Sequence, residues 1–374
     1  MPATERPVIG WDVGGAHVKA CLLRGGEVTD VAQWACPLWQ GMEHLEHTLQ
    51  SACRRWPMAD DAAHAVTMTG EMVDLFSDRQ EGVKRIALQM MRTLQPAQDG
   101  DAMRFFAGDA GWCRIDEVPA QWERIASANW LATARHAAHA VGDGVLVDIG
   151  STTTDFVAFR GGQVLGHSRT DAERLATGEL VYLGVVRTPL FALARRIGWR
   201  GRMLNVMNEY FATVADVYRL TGELQADHDL YPTADNAPKS PLATRRRLAR
   251  MIGLDEHDGT ADEWLAFARA WRQHQVDELG GQLHRVLQAH SLPSSAAYVS
   301  AGCGDFLAAD VVAHAATLAG QGRLPMRGMA YGSGVAKVSA DARSGAAPVR
   351  AWAQVCAPCV AVAALLDAEL RRCG

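Results

Sequence analysis

The chain has 374 residues, of which 48% are hydrophobic and 21% charged, with a formal net charge of −5 at pH 7. That balance excludes a disordered chain and gives no electrostatic reason to expect nucleic acid or an anionic membrane as a partner. The length exceeds what one small core accommodates and predicts two domains. The basic run TRRRLAR, residues 244–250, is local and reads as a solvated helix face.

In chain order, VIGWDVGGAHVKACLL (residues 8–23) reads as two strands around a tight turn, because the apolar run breaks at Gly14 and Gly15 and then resumes. EVTDVAQW continues as a third strand. GMEHLEHTLQSACRRW carries Met42, Leu45, Leu49, Cys53 and Trp56 at helical spacing, and HAVTMTG returns to strand character. EGVKRIALQMMRTL predicts an amphipathic helix and MRFFAG a strand, and SANWLATARHAAHAV predicts a helix opened by a Ser cap. GVLVDIG, TDFVAF and GQVLGH then repeat the opening pattern of strand, turn, strand and strand.

Two halves therefore begin alike, with Asp12 and Asp148 as equivalent residues at the ends of their first strands. The reading is α/β, with a first domain over 1–143 and a second over 144–374. A helical insertion over about 172–290 interrupts the second, and a C-terminal helix is expected to pack back on the first. Strand character reappears in AAYVSAGCG (296–304), and ADHDLYPTADNAPKSP (226–241) is the predicted long loop.

Other signals point to an ordinary cytoplasmic protein. The N-terminus lacks a basic-then-apolar leader pattern, and VAVAALLDAEL is too short and too acidic to span a bilayer. Eight cysteines occur singly except for the pair Cys356 and Cys359, and they read as packed thiols rather than ligands. His44 with His47, and His136 with His139, lack further ligands at metal spacing.

The two turns carry the chemistry. Glycines let backbone N–H groups approach an anion, and Ser151, Thr152, Thr153 and Thr154 add hydroxyl donors without charge. A carboxylate repels phosphate, so Asp12 and Asp148 make sense with a cation, and Mg²⁺ suits carboxylates, water and phosphate oxygens. Two such turns facing across a cleft would clamp a polyphosphate and its metal, with Lys19 adding positive charge. One Asp-Gly turn alone is an ordinary hairpin turn, whereas the same turn opening both halves is specific.

GWDVGG with Lys19, DIGSTTTDF and VSAGCGDFLAADV resemble the phosphate-1, phosphate-2 and adenosine motifs of the superfamily of acetate and sugar kinases, heat-shock chaperones and actin. The resemblance implies two ribonuclease-H-like, actin-like ATPase domains. More narrowly, GWDVGGAHVKA, TMTGEM, SANWLATA, DIGSTTTDFV and GVVRTPLFAL resemble the hydantoinase-like branch that makes the aryl ether of methanofuran. Members are also known as tetrahydromethanopterin-linked one-carbon transfer proteins. The implied reaction is displacement of diphosphate from an aminomethylfuran-methyl diphosphate by the phenol oxygen of a tyramine- or tyrosine-type acceptor. In a bacterium the product would serve methylofuran and formaldehyde oxidation.

The residues agree with that chemistry better than with a kinase. Kinases of the superfamily commonly carry Thr or Ser after the phosphate-1 glycines, where this chain has Ala16 and His17. Sugar kinases place an Asp base where SANWLATA offers Asn129. Furfuryl diphosphate needs chiefly a stabilised leaving group, because the furan oxygen delocalises charge at the CH₂. A phenol, with a free pKa near ~10, attacks as it loses its proton.

The expected roles follow. Asp12 and Asp148 position hydrated Mg²⁺, while Gly14, Gly15, Gly150, Ser151, Thr152 and Thr153 cradle diphosphate. Asp155 either supports its turn or orients a metal-bound water. Glu71 is the first choice for the phenol's base, against a surface helix start. Asn129, Arg187 and Asp235 are candidate acceptor contacts, the last two against a surface residue and a solvated loop. Gly302 and Gly304 either face the furan or let a helix pack closely.

Two other readings use the same turns: an ATP-dependent kinase or hydantoinase-type enzyme, and a non-catalytic nucleotide-binding protein whose insertion binds a partner. The ether-forming reading implies Mg²⁺ and small-molecule partners, with neither nucleic acid nor membrane, and leaves both ATP binding and a homodimer open.

Overall fold

The computed structural model describes residues 6–96, 102–320 and 326–373. The chain forms two compact units, one of Met1–Gly144, Phe159–Glu173 and Met329–Gly374, the other of Val145–Ala158 and Arg174–Gly328. The first unit thus takes in two segments from beyond residue 144. Helix Ala357–Cys373 packs on the first unit's strands, and the strand pair ending at Val164 lies beside helix Asn129–Val141.

In the first unit, β1 (Val8–Val13), β2 (His17–Arg24), β3 (Glu27–Ala35), β4 (Ala63–Met68), β5 (Met103–Phe106) and β6 (Trp112–Cys113) form one sheet in the order β3-β2-β1-β4-β5-β6. β1, β2 and β3 are antiparallel, while β1, β4 and β5 run parallel. A central strand covered on both faces reads as a continuous apolar run, and all six residues of β1 are buried. Helices Met42–Arg55 and Arg79–Leu94 contribute Leu45, Leu49, Val83 and Ile86 to the core around Ile9 and Trp11.

His64 and Asp30 are two satisfied polar anchors inside this unit. Trp11 Nε1 donates to His64 Nδ1 at 3.0 Å, so His64 carries its proton on Nε2, which lies 3.0 Å from the Ala59 carbonyl. Burial pushes the His64 pKa down to about 4, which keeps the ring neutral. Asp30 accepts from Arg55 at 2.7 and 2.8 Å and from Trp56 Nε1 at 2.9 Å.

Helix Ala357–Cys373 covers the opposite face, where Gly10 permits a close approach: a Cβ there would lie 2.0 Å from the Cys359 carbonyl oxygen. Cys21 donates to that carbonyl, Cys359 donates to the Cys356 carbonyl, and all three thiols are buried. Burial raises the Cys359 pKa well above the usual thiol range. The late apolar run VAVAALL is this packing surface. Among the described residues no single helix is long and apolar enough to cross a membrane.

The second sheet uses β7 (Gly144–Ile149), β8 (Thr154–Arg160), β9 (Gln163–Val164), β10 (Leu180–Val181), β13 (Ala297–Ala301) and β14 (Arg327–Ala330), in the order β10-β8-β7-β13-β14 with β9 on β8. β7 thus occupies the position of β1, flanked by its hairpin partner and by a later strand. The insertion between β10 and β13 is not helical throughout. β11 (Arg196–Trp199) and β12 (Arg202–Asn205) form a hairpin whose two linking residues, Arg200 and Gly201, both have positive φ, as a two-residue primed turn requires. The helix expected from Met203 starts only at Val214, behind a Thr213–Asp216 capping box. The long helix Ala261–Ala289 buries Trp264, Phe267, Trp271, Gln275, Leu279 and Leu283.

Two glycine substitutions separate steric need from helix propensity. Gly10→Ala is expected to lose about 1–3 kcal/mol in urea unfolding, because the helix must move off β1. Gly281→Ala, inside the long helix with nothing within 4 Å of its added Cβ, is expected to gain about 0.5–1 kcal/mol.

Candidate active site

At the end of β1, Asp12 stands opposite Lys19 of β2 and Thr67 of β4, so the three side chains share one face of the sheet. Asp12 is 5% exposed and Thr67 fully buried, with the Thr67 hydroxyl unpartnered. Lys19 Nζ donates to the Val355 carbonyl at 3.3 Å, at the end of helix Ala346–Val355. The turn closes through Gly14 N–H to the His17 carbonyl at 2.9 Å. None of Gly14, Gly15 and Gly150 lies in the left-handed region. Close approach explains the first two: added Cβ atoms would lie 2.9 Å from the His17 oxygen and 2.6 Å from Val73 Cγ1.

The TMTGEM segment lies directly against this turn. Thr69 N–H donates to the Val13 carbonyl at 2.9 Å, and a Cβ on Gly70 would come within 3.1 Å of that same oxygen. Glu71 follows in a short 3₁₀ turn and is 1% exposed, so it is no surface helix start. Its Oε1 accepts from Ser127 Oγ at 2.8 Å, while its buried Oε2 has no hydrogen-bond partner. Burial is the largest influence on this carboxyl and pushes its pKa up to about 7, against the smaller lowering effects of Ser127 and Arg79. Arg79 is itself paired with Asp171 at 2.7 Å.

In the second unit, the turn after Asp148 is held by two neighbouring segments. Gly150 N–H donates to the Thr153 carbonyl at 2.8 Å. The N–H groups of Val185, Val186 and Arg187 then donate to the Gly150 and Ser151 carbonyls at 2.9–3.1 Å. That contact needs Gly184, where a Cβ would lie 2.4 Å from Thr152 N. Thr188 Oγ1 accepts from Gly184 N–H, and Gln275 Nε2 donates to the Gly184 carbonyl while its Oε1 accepts from Tyr218. On the other side, Gly302 at φ 86° and Gly304 lie against β7; a Cβ on Gly302 would fall 2.6 Å from Asp148 Oδ1. Gly304 N–H donates to the Ile149 carbonyl at 2.8 Å. Both glycines serve close backbone packing beside Asp148.

The remaining expected residues have identifiable surroundings. Asp155 accepts from the buried Arg174 at 2.8 Å, and Arg174 also donates to the Glu179 carbonyl, so Asp155 ties its strand to the next segment. Asn129 opens helix Asn129–Val141 and its Oδ1 accepts from Trp130 N–H. The Arg187 side chain is exposed. Asp235 pairs with Arg247 and Arg250, and the buried Arg247 also binds Asp216, which fastens the 226–241 loop to its helices. His136 is half-buried, with Nδ1 2.7 Å from the Tyr331 hydroxyl. Asp255, His257 and Asp258 bring three potential ligands together, but all three are exposed and the two aspartates already form a capping box.

Sequence reasoning missed Ser127, Gly184, Thr188 and Gln275. Ser127 was assigned as the helix cap, yet the cap position is Ala128 and Ser127 faces Glu71. Gly184 and Thr188 lie in the GVVRTPLFAL motif, a signal available without its geometry. Gln275 sits in a polar stretch of the long helix, and nothing local marks it as buried.

The profile of the hydantoinase/oxoprolinase family matches residues 62–342. The chain belongs to that family. A (4-{4-[2-(gamma-L-glutamylamino)ethyl]phenoxymethyl}furan-2-yl)methanamine synthase of Methanocaldococcus jannaschii is 29% identical over 263 residues, 70% of this chain and 76% of the relative. The synthase of the same name from Methanococcus vannielii is 29% identical over 168 residues, 45% of this chain and 74% of the relative. Among solved structures, nucleotide-free acetone carboxylase matches with a TM-score of 0.50 at 10% identity, covering 80% of this chain and 66% of that one. This hydantoinase/oxoprolinase member has the expected two-domain, ribonuclease-H-like fold of actin-like ATPases.

The raised Glu71 pKa makes the stability of the fold depend on pH. The folded chain holds this proton more tightly than the unfolded chain, so the contribution is complete below about pH 4.5 and is lost as pH rises through about 7. Glu71→Gln, which cannot ionise, should therefore gain about 1–3 kcal/mol relative to wild type between about pH 5 and pH 8. Thermal unfolding at both pH values checks the sign.

Proposed function

We propose that this protein joins an aminomethylfuran-methyl diphosphate to the phenol oxygen of a tyramine- or tyrosine-type acceptor, releasing diphosphate, in methanofuran or methylofuran biosynthesis. The observation that carries the reading is the similarity to two synthases whose product name contains a phenoxymethylfuran ether. Family membership and fold agree with it. Ala16 and Asn129 stand where a kinase of this fold would carry a hydroxyl and a carboxylate, which favours ether formation over phosphoryl transfer.

Glu71 is assigned as the base. Its raised pKa suits acceptance of a phenolic proton near neutral pH, and Oε2 carries no hydrogen bond. The phenol O–H proton passes to Glu71 Oε2 as the phenol oxygen bonds to the furfuryl CH₂. The bond from that carbon to the diphosphate oxygen breaks, and its electron pair leaves with diphosphate. Backbone N–H groups and hydroxyls of the Gly150–Thr153 turn are proposed to hold the leaving group, with Gly14 and Gly15 contributing from the first turn.

Asp12 and Asp148 are the carboxylates proposed for Mg²⁺, and Lys19 adds positive charge. Carboxylate oxygens beside a hydroxyl-rich turn are a donor set that suits a hard cation, and the missing Cβ at Gly302, which would lie 2.6 Å from Asp148 Oδ1, leaves space for that carboxylate. Bound Mg²⁺ would neutralise charge developing on diphosphate. Arg187 and Asn129 are retained as acceptor contacts. Asp235 is better explained by its ion pairs.

Diphosphate release by the purified protein, with Mg²⁺, both substrates and no ATP, tests this reading. Release is expected only with both substrates and is expected to fall about 10²–10³-fold in Asp148→Ala. In Glu71→Gln, kcat should drop about 10²–10⁴-fold. Formation of ADP after ATP is supplied, with no diphosphate release in its absence, would return the protein to the kinase reading.

A further inference from the structure

Ser127 occupies a backbone conformation that a serine does not favour. Its φ is +51°, in the left-handed region where glycine is at ease and a residue with a Cβ is strained. The usual reason for a serine before a helix does not apply, because helix Asn129–Val141 has Ala128 at its cap and no side-chain cap bond. What the serine supplies beyond a glycine is a hydroxyl. That hydroxyl is buried and donates to Glu71 Oε1 at 2.8 Å, with the Met72 sulfur a second neighbour at 3.8 Å.

The surroundings fix both partners. An isolated parallel bridge between Met68 and Ala126 holds the serine's segment beside the end of β4. Behind Glu71, a Cβ on Gly82 would lie 2.6 Å from the Glu71 carbonyl oxygen and 2.8 Å from its Cα, so helix Arg79–Leu94 is pressed against the glutamate backbone. The charged groups that act on the carboxyl are Arg79 and Asp171, and their mutual ion pair makes their fields oppose each other. The Ser127 hydroxyl is thus the donor that singles out one carboxyl oxygen.

We propose that Ser127 is a positioning residue for Glu71: its hydroxyl ties Oε1 and leaves Oε2 as the oxygen that takes the acceptor's proton. The catalytic part of this inference rests on the ether-forming reading, whereas the hold of Ser127 on Glu71 does not. The hydroxyl donates to the ionised carboxylate more strongly than to the neutral acid, so its loss raises the proton affinity of Glu71.

Ser127→Ala and Ser127→Gly both remove the hydroxyl but differ in backbone cost, since glycine relieves the positive φ. Infrared titration of the protonated carboxyl, assigned by its loss in Glu71→Gln, reads Glu71 directly without substrate. The acid limb of the pH profile of kcat/KM for diphosphate release reads the same group during turnover. An upward shift of about one pH unit, similar in both variants and in both measurements, supports the proposal. An unchanged Glu71 titration in either variant, or a shift in Ser127→Ala alone, overturns it. If the titration moves in both variants while wild type releases no diphosphate at any pH, the hold on Glu71 stands and the ether-forming reading falls.

Discussion

The turns that end β1 and β7 depend on close approach at neighbouring glycines. A Cβ on Gly70 or Gly15 would press into the Asp12 turn or its neighbour, and a Cβ on Gly184, Gly302 or Gly304 would collide with the Asp148 turn or its strand. A side chain at any of these positions would require its neighbours to shift in a close-packed interior, most of all at Gly184 and Gly302, where backbone atoms lie 2.4 and 2.2 Å from the added Cβ. The glycines are therefore packing residues first. Their consequence is chemical, because the packed loops fix the backbone groups around each aspartate and leave those turns little freedom.

The same logic explains why a carboxyl can be buried with one oxygen unbonded. Such a group is costly, of the order of 1–3 kcal/mol, and persists only when its surroundings hold it in place. Glu71 is held by Ser127 in front and by the helix pressed on its backbone through Gly82. The cost is lowered when the carboxyl carries its proton, which ties its burial to its proton affinity. That coupling is what the proposed role of Glu71 as a proton acceptor draws on.

Much of this was legible in the sequence, for physical reasons. Strand β1 is buried on both faces and so reads as the apolar run VIGW up to Asp12, and the repeat of Asp-x-Gly at Asp148 exposed the duplicated architecture. Glu71 could be placed near the turn because a strand must end before it. Local signals failed where long-range contacts decide. Ser127 looked like a helix cap because its partner lies 56 residues away. The β11–β12 hairpin was hidden because Arg200 adopts positive φ without being glycine. Asp235 looked available because the arginines that bind it come from a helix later in the chain.

The central claim is that the acceptor's phenol oxygen becomes the ether oxygen and that diphosphate leaves with its own oxygen. Turnover with a phenolic acceptor labelled with ¹⁸O at the hydroxyl, followed by mass spectrometry of both products, tests this most directly. The account predicts the full label in the furfuryl aryl ether and none in diphosphate. A phosphorylated acceptor that carries the label and forms only when ATP is present would contradict it.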